Sequence, residues 1–322
     1  MSSSYVNDQL PVTAPDYIRR FDERWIGQQE IDEQDSEWMS LLVEDVPLDT
    51  PLVRFPLTSW SVRYIETRAD NRDQDFTDRY FDLKVIEFDA GVEEQLLRLN
   101  QYPHLRRQWD EAPARFKSEE REHAAENLAA LLESNPAPAV AAESVDGVAL
   151  FSTAHPTAHG STTWSNYNAA GGAVTTLTNV ETEAVAFAPR GPDGRLLRAK
   201  ADFVMVPSGL ALPLANRMGQ PLVATAAGTA TESNPYFQGM KIVENPYLTD
   251  PNDWYIGSTS LLQRGYRPLI HATFDAGPDL GLRRFDESSD HFKSTGRVKV
   301  SSHIFKGFGV AFGQALRKVK VA

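Results

Sequence analysis

"LFSTAHPTAHG" (Leu150–Gly160) places two of the chain's seven histidines four residues apart. An H-x-x-x-H pair on a helix turns both imidazoles to one face, which is how many zinc sites are built. Here Pro156 lies between the histidines, Gly160 follows the second, and Ser152 and Thr153 precede the first. Proline and glycine in these positions make a loop, not a helix. No glutamate stands beside His155 as a general base, and a third ligand would have to come from far along the chain. The stretch therefore predicts a loop whose path Pro156 and Gly160 fix, with its histidines hydrogen-bonded or exposed. No metal and no cofactor is expected.

Downstream, "HPTAHGSTTWSNYNAAGGAVTT" is rich in Gly, Ser, Thr and Asn and predicts a long loop. "LTNVETEAVAFAP" predicts a short helix capped by Thr178 or Asn179, "ADFVMVP" a buried strand, and "SGLALPLANRMG" a helix closed by Gly219. "MKIVENPYL", "DWYIGS", "PLIHATFDA", "LGLRRFD" and "GRVKVSSHIFKGFGVAF" predict further strands, the last interrupted by Gly307 and Gly309.

Upstream, residues 92–135 predict helix. A first apolar stripe (Val92, Leu96, Leu97, Leu99) breaks near Pro103. The main helix starts with Pro113 as its first residue and stops at Asn135-Pro136. Phe116, Ala124, Leu128, Leu131 and Leu132 line one face, and Glu119, Glu120, Arg121 and Glu126 the other. Before it, Trp60, Val62 and Tyr64 alternate on one side of "ETRADNRDQDFTD" (Glu66–Asp78), and Phe81, Leu83 and Val85 on the other. That pattern predicts a protruding β-hairpin with a long charged tip, which must rest on its own body or on a neighbouring copy. Residues 1–50 are acidic with scattered aromatics and predict an arm lying on other surfaces. The order of arm, hairpin, long helix, mixed region and terminal strands predicts an α+β fold without βαβ alternation.

Composition bounds the function. With 322 residues and 41% hydrophobic content the chain should be globular. It has no cysteine, which excludes disulfides, thiolate metal sites and a cysteine nucleophile. No apolar run is long enough to cross a bilayer, and the N-terminus lacks the basic and apolar regions of a signal peptide. Net charge is −12 but uneven. Residues 1–135 hold 29 acids against 15 bases, whereas residues 281–322 hold 9 bases against 3 acids. An acidic front half and a basic tail suit head-to-tail contact between copies. Lys306, Arg317, Lys318 and Lys320 of that tail would either touch nucleic acid, guard a sheet edge, or meet the acidic half of another subunit.

No catalytic pattern stands out. There is no G-x-S-x-G elbow, no phosphate-binding G-x-x-x-x-G-K-[ST] loop, no dinucleotide fingerprint and no calcium loop. The carboxylates of residues 66–94 alternate with arginines, as surface ion pairs do, and form no acid/base pair.

"SVDGVALFSTAHPTAHGSTTWSNYN" (Ser144–Asn168) resembles a stretch of Mu-type phage major head proteins. In that family an Asp-Gly pair precedes an apolar "LF" or "FF", then a His-Pro, a glycine and an asparagine. Here they are Asp146, Gly147, Leu150, Phe151, His155, Pro156, Gly160 and either Asn166 or Asn168, with Val145 where an aromatic is usual. "RYFDLKVIEFDAGVEEQLL", "ADFVMVPSGLALPLANRM", "NDWYIGST" and "STGRVKVSSHIFKGFGV" resemble further parts of that family, so the likeness extends over most of the chain beyond about residue 50.

The resemblance implies the Hong Kong ninety-seven type of capsid fold. The division it implies is an N-terminal arm (1–50), an extended loop (51–90) and a peripheral domain with a spine helix (91–147). A mainly axial domain (148–272) and return strands of the peripheral domain (273–322) complete it. It implies a non-enzymatic major capsid protein of a tailed double-stranded DNA phage or phage-like particle. Such a protein assembles as hexamers and pentamers in the host cytoplasm, with a scaffold, a portal and decoration proteins as partners. Packaged DNA is touched weakly or indirectly, in keeping with the acidic surplus. Arg68, Asp70, Arg72, Asp73, Asp75 and Arg79 of the hairpin are the expected assembly contacts. The alternatives are an encapsulin-like compartment shell and an unrecognised hydrolase or metal enzyme.

Overall fold

In the computed structural model the described residues are 19, 37–48, 52–56, 76–80, 84–93, 103–135, 146–157, 160–191, 194–220, 222–224, 231–233, 239–274, 283–285 and 288–321. Helices and mixed sheets share them, which is the α+β class expected. The chain divides into two compact units. One comprises Met1–Asp35, Lys84–His123 and Phe274–Lys306; the other comprises Ser36–Leu83, Ala124–Thr273 and Gly307–Ala322.

In the first unit, β4 (Lys84–Glu93) pairs antiparallel with the first ten residues of β15 (Arg297–Val310), from Glu93↔Arg297 to Lys84↔Lys306. The short β14 (Arg283–Phe285) pairs with the other side of β15. Helix α2 (Pro103–Ser134) contributes its residues up to His123. Trp109, Phe116, Val298 and Val300 are buried, and Lys306 Nζ meets Glu120 Oε1 at 2.5 Å in a buried ion pair. The small helix α6 (Asp290–Thr295) opens on Ser289, whose hydroxyl accepts from the Phe292 amide, and closes on Gly296 at φ 66°.

The second unit is built on a five-stranded sheet in the order β11 (Lys241–Asn245), β8 (Phe203–Pro207), β12 (Asp253–Gly257), β16 (Leu316–Val321), β7 (Tyr167–Gly171). β12 runs antiparallel to both its neighbours, and the outer pairs are parallel. Alternation sends Val204, Val206, Trp254, Ile256 and Val319 to one face. There they meet Val180 of α3 (Leu177–Ala186) and Leu214 and Met218 of α4 (Ser208–Met218). Phe203, Met205, Val243, Tyr255 and Leu316 take the other face. They meet α1 (Glu37–Leu42), residues 124–132 of α2, and α5 (Thr259–Gln263). With helices on both faces, β8 and β12 are buried along their whole length, and apart from Asp253 they read as apolar runs. Each such Val, Ile or Leu contributes roughly 1.5–3 kcal/mol. Trp38, Met39 and Leu42 of α1 and Val43 of β1 (Val43–Leu48) are part of this core. Part of the segment expected as an arm thus has apolar side chains buried within this unit.

The other differences from expectation have local causes. Helix α2 begins at Pro103, where a proline loses nothing as the first helical residue, and runs through Pro113. Pro113 lacks an amide only for the carbonyl one turn earlier, and Trp109 and Phe116 are buried on either side of it. Val92 belongs to β4, and Leu96, Leu97 and Leu99 lie outside the described residues. The hairpin is present as β2 (Leu52–Pro56) against β3 (Phe76–Tyr80), with Leu52↔Tyr80 and Pro56↔Phe76. Val85 is in β4, opposite Phe305, and not in the hairpin; Trp60, Val62, Tyr64, Phe81 and Leu83 lie outside the described residues.

The polar stretch after His155 is not one loop. It contains β5 (His155–Thr157), β6 (Gly160–Trp164) and β7. Thr176 takes the N-cap position of α3, ahead of the expected Thr178 or Asn179 and without a side-chain cap bond, and Asn179 instead donates to the Ala173 carbonyl. β15 continues through Gly307 and Gly309 to Val310. The expected boundaries at 147 and 273 do not follow the compact units. Residues 124–134 group with the second unit, and the last segment is split at Lys306.

Candidate functional site

Helix α2 ends where Asn135 turns into the left-handed region at φ 41°, a conformation asparagine tolerates better than most residues. Its side chain then pairs with the backbone of Phe151. Nδ2 donates to the Phe151 carbonyl at 2.8 Å, and Oδ1 accepts from the Phe151 amide at 2.9 Å. The stretch that follows is thereby hung on the helix end, with the Phe151 ring 5.6 Å from that of Tyr255.

His155 is fully buried. Its Nδ1 lies 2.6 Å from Asp146 Oδ2 and its Nε2 lies 2.8 Å from Asn166 Oδ1. The orientation of the Asn166 amide is fixed by its other bonds. Nδ2 donates to the carbonyls of Leu150 (2.8 Å) and Gly313 (3.0 Å), and Oδ1 accepts from the Ser152 amide at 2.8 Å. The ring thus faces an acceptor on each side, and satisfying both takes a proton on each nitrogen, a charge-assisted arrangement with Asp146. Trp164 covers the ring, stacked at 4.4 Å. Gly313 closes the far side. A Cβ there would come within 2.7 Å of both Asn166 Nδ2 and the Leu150 carbonyl oxygen.

Residues 146, 150, 152, 155, 164, 166 and 313 form one clasp. Both nitrogens of His155 are committed to it, so neither serves as a metal ligand or a general base. Asn166, and not Asn168, completes the Asp-Gly…His-Pro…Asn pattern. Asn168 donates instead to Glu183 Oε1. His159 lies outside the described residues. Among the described residues no group of three or more His, Asp or Glu gathers as a metal site, and no helix is long and apolar enough to cross a membrane.

Three of the four basic residues singled out in the tail, Lys306, Arg317 and Lys318, are held inside the fold. β16 lies between β12 and β7, so it guards no sheet edge. Lys318 is buried; its Nζ meets Asp253 Oδ2 at 2.7 Å and donates to the Glu133 carbonyl at 2.6 Å. A cation on the last carbonyls of a helix answers both their unmet hydrogen bonding and the helix dipole. The Glu133 carboxylate in turn accepts from the Thr249 amide and hydroxyl, each at 2.8 Å. Arg317 Nε donates to buried Glu183 Oε2 at 2.6 Å, and Lys306 is taken by Glu120. Only Lys320 of these four is exposed, so Lys306, Arg317 and Lys318 are committed within the fold and are not presented to nucleic acid or to another subunit. Burial, and then the negative charges of Asp253, Glu133 and Asp250, push the Tyr255 phenol well above its ordinary pKa.

Of the expected assembly contacts, Arg68, Asp70, Arg72, Asp73 and Asp75 lie outside the described residues, and Arg79 sits in β3 opposite Val53. Sequence reasoning missed Asp253, Glu133 and Glu183. The available signal was a lysine at an inward position of "LRKVKV", since a buried charge requires a partner.

No curated protein matches the chain. Among solved structures it is similar to the procapsid of bacteriophage JBD30, at 15% identity over 95% of this chain and 74% of that one (TM-score 0.49). It is also similar to the capsid of an empty GTA particle, at 17% identity over 98% and 99% (TM-score 0.48). A third is an encapsulin complex from Synechococcus elongatus, at 9% identity over 89% and 88% (TM-score 0.45). The phage capsid protein family matches residues 93–312, a span that holds α2, the clasp up to the residue before Gly313, and four of the five strands of the central sheet. On that match, which takes in well over half of its length, the chain belongs to the phage capsid protein family.

Proposed function

We propose that this chain is the major capsid protein of a tailed double-stranded DNA phage or phage-like particle, and that its copies close into an icosahedral head. The family match over residues 93–312 carries this reading. The order of parts supports it: a two-stranded ribbon, a 32-residue helix and a helix-covered mixed sheet follow one another as the Hong Kong ninety-seven fold requires. Among the described residues β2 and β3 pair with each other in a two-stranded sheet, which is marginal in water unless something covers it. A neighbouring subunit is that cover in a closed shell. Residues 57–75, including Arg68, Asp70, Arg72, Asp73 and Asp75, are the tip of the extended loop and contact the neighbour, with Arg79 at its base. The role is structural, in hexamers and pentamers assembled in the host cytoplasm around a scaffold and portal. The mature particle is the virion, and the packaged DNA is touched weakly or indirectly.

Negative-stain microscopy of the purified chain, with and without co-expressed neighbouring gene products, tests the reading. Closed particles are expected. Stable small subunits under every assembly condition would overturn it, and particles filled with a protein cargo and no nucleic acid would replace it with the encapsulin reading. Deleting Arg68–Asp75 should leave a folded subunit that assembles poorly; normal shells from that variant would remove the tip from the interface.

A further inference from the structure

Among the described residues, β12 carries two buried side-chain polar atoms that lack a hydrogen-bond partner, Tyr255 Oη and Asp253 Oδ1. Their residues stand two apart on β12, so both side chains leave the same face. Lys318 shares that face, directly across from Tyr255, and its Nζ lies 5.7 Å from the Tyr255 ring centroid. The last turn of α2 covers the group, with the Leu132 and Glu133 carbonyls both accepting from Lys318. The surroundings are therefore polar on several sides and closed to bulk water.

The two atoms are complementary. Asp253 is held as a carboxylate by Lys318 at 2.7 Å, so Oδ1 is an acceptor. The phenol keeps its proton, since burial and the nearby carboxylates both oppose its ionisation, so Oη is a donor. Neither makes a bond to the other. Native proteins rarely leave such groups orphaned, and they meet them with ordered internal water where the site is polar. The geometry points to an internal binding site for a single ordered water, which accepts from Tyr255 Oη and donates to Asp253 Oδ1. That water completes the polar shell around Lys318 and joins β12 to the end of the long helix.

The test is Tyr255→Phe in the full chain, read by equilibrium urea unfolding. If the water is bound, removing the hydroxyl takes away the donor that holds the water, weakens its bond to Asp253 Oδ1, and the unfolding constant rises roughly five- to thirtyfold. A variant as stable as the parent, or more stable, is the result expected of a truly orphaned phenol and would overturn the site. A density map at a resolution that shows ordered waters should carry a peak bridging Oη and Oδ1 in the parent. If Tyr255→Phe does not fold, this map decides alone: no peak, or a direct Oη–Oδ1 bond, refutes the proposal.

Discussion

His155→Ala removes the centre of the clasp, and its cost follows from what the imidazole holds. The bond to Asp146 is charge-assisted, but the Asp146 side chain is 19% exposed and water takes over part of its solvation. That bond is therefore set near the low end, about 1.5 kcal/mol. The bond to Asn166 Oδ1 adds about 1 kcal/mol, and the ring-sized cavity beside Trp164 about 2 kcal/mol. The total is about 4.5 kcal/mol, or roughly two-thousandfold in the unfolding constant. Against the roughly 5–15 kcal/mol that holds a domain together, such a variant would be only marginally folded. Urea unfolding of the purified subunit measures it, and a double-mutant cycle with Asp146→Ala isolates the pair. The cycle should return a coupling of about 1.5 kcal/mol, because Asp146→Ala costs little once the imidazole is gone. A cost for His155→Ala below about 1 kcal/mol, or additive single mutants, would refute the clasp as a stabilising unit.

Three more perturbations probe the same core. Gly313→Ala should cost several kcal/mol of stability by melting temperature, since its new Cβ meets backbone oxygen and a fixed amide at 2.7 Å; Gly209→Ala on α4, with nothing within 4 Å, should be neutral or gain up to about 1 kcal/mol. Lys318→Ala leaves Asp253 buried and unpaired and should lose about 3–5 kcal/mol by denaturant unfolding, whereas Lys318→Met with Asp253→Leu should recover most of it. The folded-state pKa of Tyr255 is raised above its unfolded value near 10. Its contribution is thus fully present below about pH 10 and is lost as pH climbs from there toward the folded pKa, at about 1.4 kcal/mol per pH unit. Alkaline unfolding titrations should show Tyr255→Phe with a shallower loss above about pH 10, and an identical slope would contradict the assignment.

The parts of the fold that local pattern determines are legible in the sequence. "FVMVP" and "WYI" are apolar runs because helices cover both faces of their sheet, and Gly219 closes its helix where expected. What stays hidden depends on distant partners. "LRKVKV" looks like a basic tail until Asp253 and the end of α2 are brought to Lys318. The choice between Asn166 and Asn168 rests on carbonyls at Leu150 and Gly313, one of them 147 residues away. Strand β7, Tyr-Asn-Ala-Ala-Gly, carries no alternating apolar pattern of its own, and its ladder to β16 is what makes it a strand. Pro113 reads as a helix start by a sound local rule, which the burial of Trp109 and Phe116 on either side overrides. The clasp is half visible: "STAHPTAHG" points to a histidine serving loop geometry, but nothing local names Asp146 and Asn166 as its two partners.

The position of β16 has a consequence for how the chain reaches this state. β7 and β12 are made long before Leu316–Val321, yet each is laddered to those six residues in the finished sheet. During synthesis the central sheet has a missing interior strand, and two unpaired edges wait for it, β7 across a gap of roughly 150 residues. Pairings this distant are slow to form, because the loop must close before any contact rewards it. The waiting edges and the uncovered face of the sheet are surfaces on which nascent chains stick to one another. Aggregation on overexpression, and its relief by chaperones or slower synthesis, is thus a property written into the strand order itself.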